Sequence, residues 1–94
     1  MGKMESPDAD IPQKGDHLAL KLSDGWAILA DQNQWIIARA RLRRDESYWQ
    51  PMWFIGSNKR TLLRVLAEKG VQIDSEALAT INTWPERFLD WRAS

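Results

Sequence analysis

From position 17 onward the chain alternates. Leu18, Leu20 and Leu22 occupy every second position of 17–22, which predicts a strand with one apolar face. Asp24-Gly25 follows, and Asp-Gly between apolar runs signals a tight hairpin, because a type I′ turn needs positive φ at both central residues. The second strand is predicted over 26–30. Gln32-Asn33 makes a further tight turn, with Asn33 suited to left-handed geometry. A long third strand spans 34–43, and a fourth runs over 48–55 after the polar link Arg44-Asp45-Glu46-Ser47. Pro51 cannot donate to a ladder, so the fourth strand belongs at an edge or is bulged there.

Two-residue turns at 24–25 and 32–33 place Leu22 opposite Ala27, Leu20 opposite Leu29, Leu29 opposite Ile36 and Ala27 opposite Ala38. One face then carries Leu18, Leu20, Leu22, Ala27, Leu29, Ile36, Ala38, Ala40 and Leu42. The other carries Trp26, Ile28, Ala30, Trp35, Ile37, Arg39, Arg41 and Arg43. A slip of one residue would exchange the faces. Depending on the register of the fourth strand, either Trp49 and Trp53 or Met52 and Phe54 join the arginines. Both faces are apolar near the middle, unlike a sheet with one wet side. An apolar patch of that size predicts self-association as a homodimer or an obligate partner, unless the sheet is curled or the helices are divided between the faces.

Gly56-Ser57-Asn58 ends the sheet. Ser57 or Asn58 caps a helix whose stripe is Leu62, Leu63, Val65 and Leu66, and Gly70 is placed for a left-handed C-terminal cap. A second helix begins near Asp74, with Ile73 and Leu78 at staple spacing and Leu78 and Ile81 on the buried side. Pro85 breaks it, and Phe88, Leu89 and Trp91 supply a last amphipathic turn or two. The reading is α+β: a four-stranded antiparallel β-meander followed by two helices. Residues 1–16, with Pro7, Pro12 and several acids, are expected to form a flexible acidic N-terminal tail, ahead of a single domain over 17–94.

Composition adds two things. The first is six tryptophans in 94 residues, more large rings than so small a domain hides completely. The second is charge: a net charge of zero divides into −3 over 1–31, +5 over 32–69 and −2 over 70–94. The middle third is basic. With no Cys there is no disulfide framework and no thiolate chemistry. No run approaches a membrane span, and the polar start is no signal peptide, so a cytoplasmic protein is expected.

Catalytic chemistry finds little support. His17 is the only histidine, which excludes a histidine- or thiolate-rich zinc site, and no EF-hand spacing is present. Glycine-rich phosphate loops, nucleophile elbows and H-E-x-x-H are absent from the sequence. Asp45-Glu46 is an adjacent acid pair of the kind that ordinarily solvates a turn. No enzyme, metal or cofactor is expected. The informative constellation is Arg39, Arg41 and Arg43, projecting at period two from one strand face, with Trp26 and Trp35 beside them. Guanidinium forks carboxylate or phosphate and stacks on aromatic faces, and Trp and Arg dominate interface hot spots. Lys59 and Arg60, at the start of a helix, are a second basic feature and invite an anion there.

Gln34-Trp35-Ile36-Ile37, then Trp53-Phe54-Ile55 leading to Asn58-Lys59-Arg60-Thr61-Leu62-Leu63, then Trp84-Pro85 with Phe88 and Trp91, resemble small accessory proteins of bacterial phages and prophages. Those have a Gln-Trp strand, a Lys/Arg-Leu helix and a closing Leu-Pro…Phe…Trp segment; here Trp84-Pro85 stands in place of Leu-Pro. The resemblance covers about residues 34–92. It implies a non-enzymatic, protein-binding product acting stoichiometrically in a bacterial host, as an inhibitor of a host or defence protein with an acidic surface, in the manner of anti-CRISPR proteins. The alternative is a small nucleic-acid-binding module using the same Arg/Trp face, which a pI near 6.6 disfavours.

Overall fold

The computed structural model describes residues 17–94; the acidic tail expected over 1–16 lies outside them. Four strands, β1 (His17–Ser23), β2 (Trp26–Ala30), β3 (Trp35–Arg43) and β4 (Glu46–Ile55), are followed by three helices, α1 (Lys59–Glu68), α2 (Ser75–Asn82) and α3 (Phe88–Ala93). The strands form one antiparallel sheet in the order β1-β2-β3-β4. This is the α+β meander expected, with Pro85 separating the last two helices. No helix of the described residues is long and apolar enough to cross a membrane.

β2 and β3 pair as the turn at 32–33 dictates, Leu29 opposite Ile36 and Ala27 opposite Ala38. Asp31 fixes that turn. Its Oδ1 accepts from Asn33 N at 2.7 Å and Gln34 N at 3.0 Å, and its Oδ2 accepts from Gln34 Nε2 at 3.1 Å.

The β1–β2 pairing departs from the expected register. Lys21, not Leu22, lies opposite Ala27, and Leu20 lies opposite Ile28, with irregularities between Leu18 and Leu20 and between Lys21 and Ser23. Only Gly25 of the Asp24-Gly25 turn takes positive φ, at +88°. The turn is therefore not type I′, and an unprimed turn does not match the twist of the strands it joins. The bulges shift parity, so Leu20 and Leu22 pack on the side of Ile28 rather than Leu29.

That side is the one the helices cover. Leu22, Ile28, Ala30, Trp35, Ile37 and Ile55 of the sheet pack with Leu62, Leu66, Val71, Ala77, Ile81 and Phe88. Trp35 sits at the centre, its ring 5.1 Å from Phe88 at 89°, 5.8 Å from Trp84 and 5.7 Å from Trp91. Its indole Nε1 is buried without a hydrogen-bond acceptor, which leaves the surrounding aromatic faces as its environment. In α2 the buried positions are Ala77 and Ile81. Leu78, expected on the buried stripe, is exposed.

Local chemistry ends α1 as anticipated. Asn58 Oδ1 accepts from Thr61 N at 2.8 Å at the start of α1. Gly70, at φ +68°, closes its end while Val71 N reaches back to Leu66 O at 3.0 Å. The last segment is clasped to the first helix: Phe88 N donates to Ser57 O at 3.1 Å, and Asn58 bridges Arg87.

On the opposite sheet face Ala27, Leu29, Ile36, Ala38 and Trp49 form a second, smaller buried cluster. What this face exposes is its rim, Leu18, Phe54 and Leu42. The centre of this face is buried, and the homodimer expectation rested on its exposure.

A cationic β-ribbon as candidate functional site

β3 and β4 outrun the rest of the sheet. The last β2–β3 pair is Trp26 with Arg39, and the ladder on that side closes where Ala40 N donates to Gly25 O at 2.8 Å. The β3–β4 pairing continues through Arg41–Tyr48, Leu42–Ser47 and Arg43–Glu46. A two-stranded ribbon thus extends about 10 Å beyond the sheet, at roughly 3.4 Å per pair. Its tip is Arg44-Asp45, with φ 51° and 68°. Two positive values in a two-residue link are the I′ geometry that suits hairpin twist, reached here with an arginine at the first position.

One face of the ribbon carries Arg39, Arg41 and Arg43, opposite Gln50, Tyr48 and Glu46. The other carries Ala40, Leu42, Ser47 and Trp49. The arginines stand on an aromatic base. Trp26 and Trp53, on strands that are not neighbours, stack over β3 with centroids 6.1 Å apart and planes 11° apart. Arg39 Cζ lies 5.4 Å from the centroid of Trp26, and Lys69 Nζ lies 5.5 Å from that of Trp53. Arg41 Nε donates to Gln50 Oε1 at 2.7 Å. The partners that orient Arg39 and Arg41 are an indole face and an amide oxygen, both neutral. Orientation of this kind leaves the charge undiminished and lowers the entropy lost when an anion binds.

Trp26 belongs to this base as expected, and its stacking with Arg39 contributes about 0.5–1 kcal/mol, typical of a solvent-accessible pair. Trp35 does not belong to the surface. It lies on the same face by parity, but its relative exposure is 0%, because α2, α3 and the link between them cover that end of the strand. Trp53 is named from the sequence only as one of two alternatives set by the register of β4, and Lys69, Gln50 and Tyr48 are not singled out there. Trp53 and Trp49 were expected to share a face; an irregularity opposite Ile37 and Ala38 leaves Met52 unpaired and sends them to opposite sides. One extra residue beside Pro51 inverts the parity of everything before it.

Lys59 and Arg60 sit elsewhere. Ile55, just before them, pairs with Trp35 at the other end of β3, about 27 Å from Arg43 at the rise of an extended strand. Lys59 Nζ donates to Trp84 O at 2.9 Å and Asn82 O at 3.4 Å, while Arg60 N donates to Glu86 Oε2 at 3.0 Å. The anion that the start of α1 invites is thus supplied by the chain itself, and Lys59 ties α1 to the end of α2.

Asp45 and Glu46 are exposed at the tip of the ribbon. Among the described residues no group of three or more His, Asp or Glu is placed to hold a metal ion. Comparison with known protein families, with curated proteins and with solved structures finds no match.

Proposed function

We propose that this chain is a non-enzymatic protein-binding domain, of the phage accessory kind, which inhibits a host or defence protein stoichiometrically by presenting the cationic face of the β3–β4 ribbon to an acidic surface. The observation that carries the reading is the row Arg39, Arg41 and Arg43 on one face of β3, running from the last β2–β3 pair out along the ribbon, with Arg39 oriented by Trp26 and Arg41 by Gln50. Arginine held in advance at an exposed site, next to a rigid aromatic base, is the composition of an interface hot spot. The resemblance of residues 34–92 to small phage proteins supports the biological setting.

The test compares the wild-type chain with Arg39→Gln/Arg41→Gln/Arg43→Gln as baits in a bacterial lysate, after circular dichroism shows that both fold. A protein retained one-to-one by the wild type and lost by the variant, and cross-linked to the ribbon when purified, supports the reading. The same set retained by both baits overturns it. Titration with single- and double-stranded oligonucleotides at two salt concentrations decides the competing chemistry. Micromolar binding that weakens steeply with salt would replace the protein partner by nucleic acid.

A further inference from the structure

Beyond Ala40, β3 has β4 on one side and no described strand on the other. Main-chain groups along a strand point alternately to its two sides. Ala40 N is directed to the β2 side, toward Gly25 O, so the N–H and C=O of Leu42 point the same way, past the end of β2. The ribbon therefore has an open edge there. Side chains alternate along the same stretch. Arg41 and Arg43 stand on one face, and between them Leu42 stands on the other, 67% exposed, the most exposed large apolar side chain of the described residues.

We infer that this edge receives an extended segment of the partner, added as a strand beside β3, with the pattern acid–apolar–acid over three consecutive residues. The inference rests on the protein-binding reading above and specifies what the ribbon reads. An added strand is held by its main chain and selected by its alternate side chains. Residues directly opposite on one face of an antiparallel pair bring their Cβ atoms to about 4.5–5.5 Å. Carboxylates opposite Arg41 and Arg43 then lie within reach of the guanidinium forks. The residue between them falls on the other face beside Leu42, where an apolar side chain removes that exposed surface from water. A helical partner satisfies none of the open main-chain groups. A second copy of this chain would set Arg41 and Arg43 against arginines, and like charges directly opposite are unfavourable. Cationic edge residues protect a strand from its own kind, and the same charges admit an acidic strand.

Three labelled peptides test the proposal against the full chain by fluorescence anisotropy, at low and at physiological salt. The first has the core Thr-Asp-Val-Asp-Thr. The second has the same composition with its acids adjacent. The third is the first with N-methylation of the amides that face β3, which blocks strand pairing and keeps the charge. Alternation is expected to tighten binding about tenfold over the scrambled peptide, from two exposed Arg–carboxylate pairs and the main-chain bonds that the correct register adds. N-methylation and Leu42→Ser should each lose most of that gain, and the Leu42 amide should shift on titration by NMR. Binding of the first two peptides within twofold of each other, full retention on N-methylation, no binding of any peptide, or displacement by an oligonucleotide that binds more tightly would each overturn strand addition. A partner that still depends on Arg39, Arg41 and Arg43 after such a result would leave the protein-binding reading in place, whereas its independence of them would remove both.

Discussion

The tip of the ribbon places an arginine where an arginine is costly. Arg44 sits at φ 51° and Asp45 at φ 68°, and an L-residue with a Cβ gives up roughly 1–2 kcal/mol in that region. Asn and Asp give up less, because a short polar side chain bonds locally. Asn at position 44 should recover about 0.5–1 kcal/mol, whereas a β-branched residue should lose about 1 kcal/mol more than arginine does. Arg44→Asn and Arg44→Val remove the same charge, so the comparison between them isolates the backbone. Their stabilities should differ by about 1.5–2 kcal/mol in urea denaturation. For a domain of this size that corresponds to a separation in Tm of roughly 6–16 °C. The ribbon beyond Ala40 is only two strands wide, and local opening of such an element conceals strain from a global melt. Amide exchange at Arg43 and Glu46, the pair beside the tip whose main-chain groups face each other across the ribbon, reads the tip directly and should slow in the Asn variant and quicken in the Val variant. Equal exchange and equal denaturation midpoints for Asn and Val would refute the strained-turn reasoning.

Two further outcomes follow from named contacts. The Asp31 carboxyl is held below its ordinary value of 3.8, first by the backbone N–H of Asn33, then by the side chain and backbone of Gln34, with a smaller contribution from Arg92 and some opposition from desolvation. A depressed carboxylate stabilises the fold fully above its unfolded pKa and loses that contribution as pH falls through the folded one. Stability measured by denaturation should therefore fall as pH drops below about 4, and Asp31→Asn should flatten that part of the profile; an unchanged slope would sink the assignment. Trp35→Ala empties the centre of the aromatic cluster and should cost about 3–5 kcal/mol, a large part of the 5–15 kcal/mol that such a domain has. A loss under 1 kcal/mol by urea denaturation would mean that the cluster is not the core.

Much of the fold was legible because several local signals are self-sufficient. The Asp31 carboxylate, accepting from Asn33 N and Gln34 N, holds the turn that sets the β2–β3 register, without the left-handed geometry expected of Asn33, and Asn58 and Gly70 mark both ends of α1 by chemistry that needs no tertiary partner. The misread elements each depend on something that a pattern does not carry. Asp24-Gly25 was read as I′ from its identity, yet only Gly25 has positive φ, and the resulting bulges move Leu20 and Leu22 to the other face. The I′ turn is at Arg44-Asp45, which composition conceals because arginine is not a residue that favours left-handed geometry. The anion at the start of α1 is Glu86, 26 residues from Arg60, a distance over which spacing rules say nothing.

The candidate site shows the same division at finer scale. Arg39, Arg41 and Arg43 share a face because β3 runs without a bulge from Arg39 to Arg43, and within an unbroken strand alternation is a geometric fact. Trp35 satisfies the same parity and is nevertheless core. Parity assigns a side of the sheet, but whether a position on that side meets helix or water depends on how far along the strand the cover extends. α2, α3 and their link pack over the Trp35 end, and β2 stops at Trp26. The same face of one strand is thus fully buried at its beginning and exposed at its end. Where β2 ends is set by the Asp24-Gly25 turn, so the residue pair that determines the β1–β2 register also determines how much of β3 is left open to a partner. Lengthening that hairpin by two residues in each strand should cover Leu42 and abolish strand addition without altering any arginine; peptide binding that survives the insertion would separate the cationic face from the open edge.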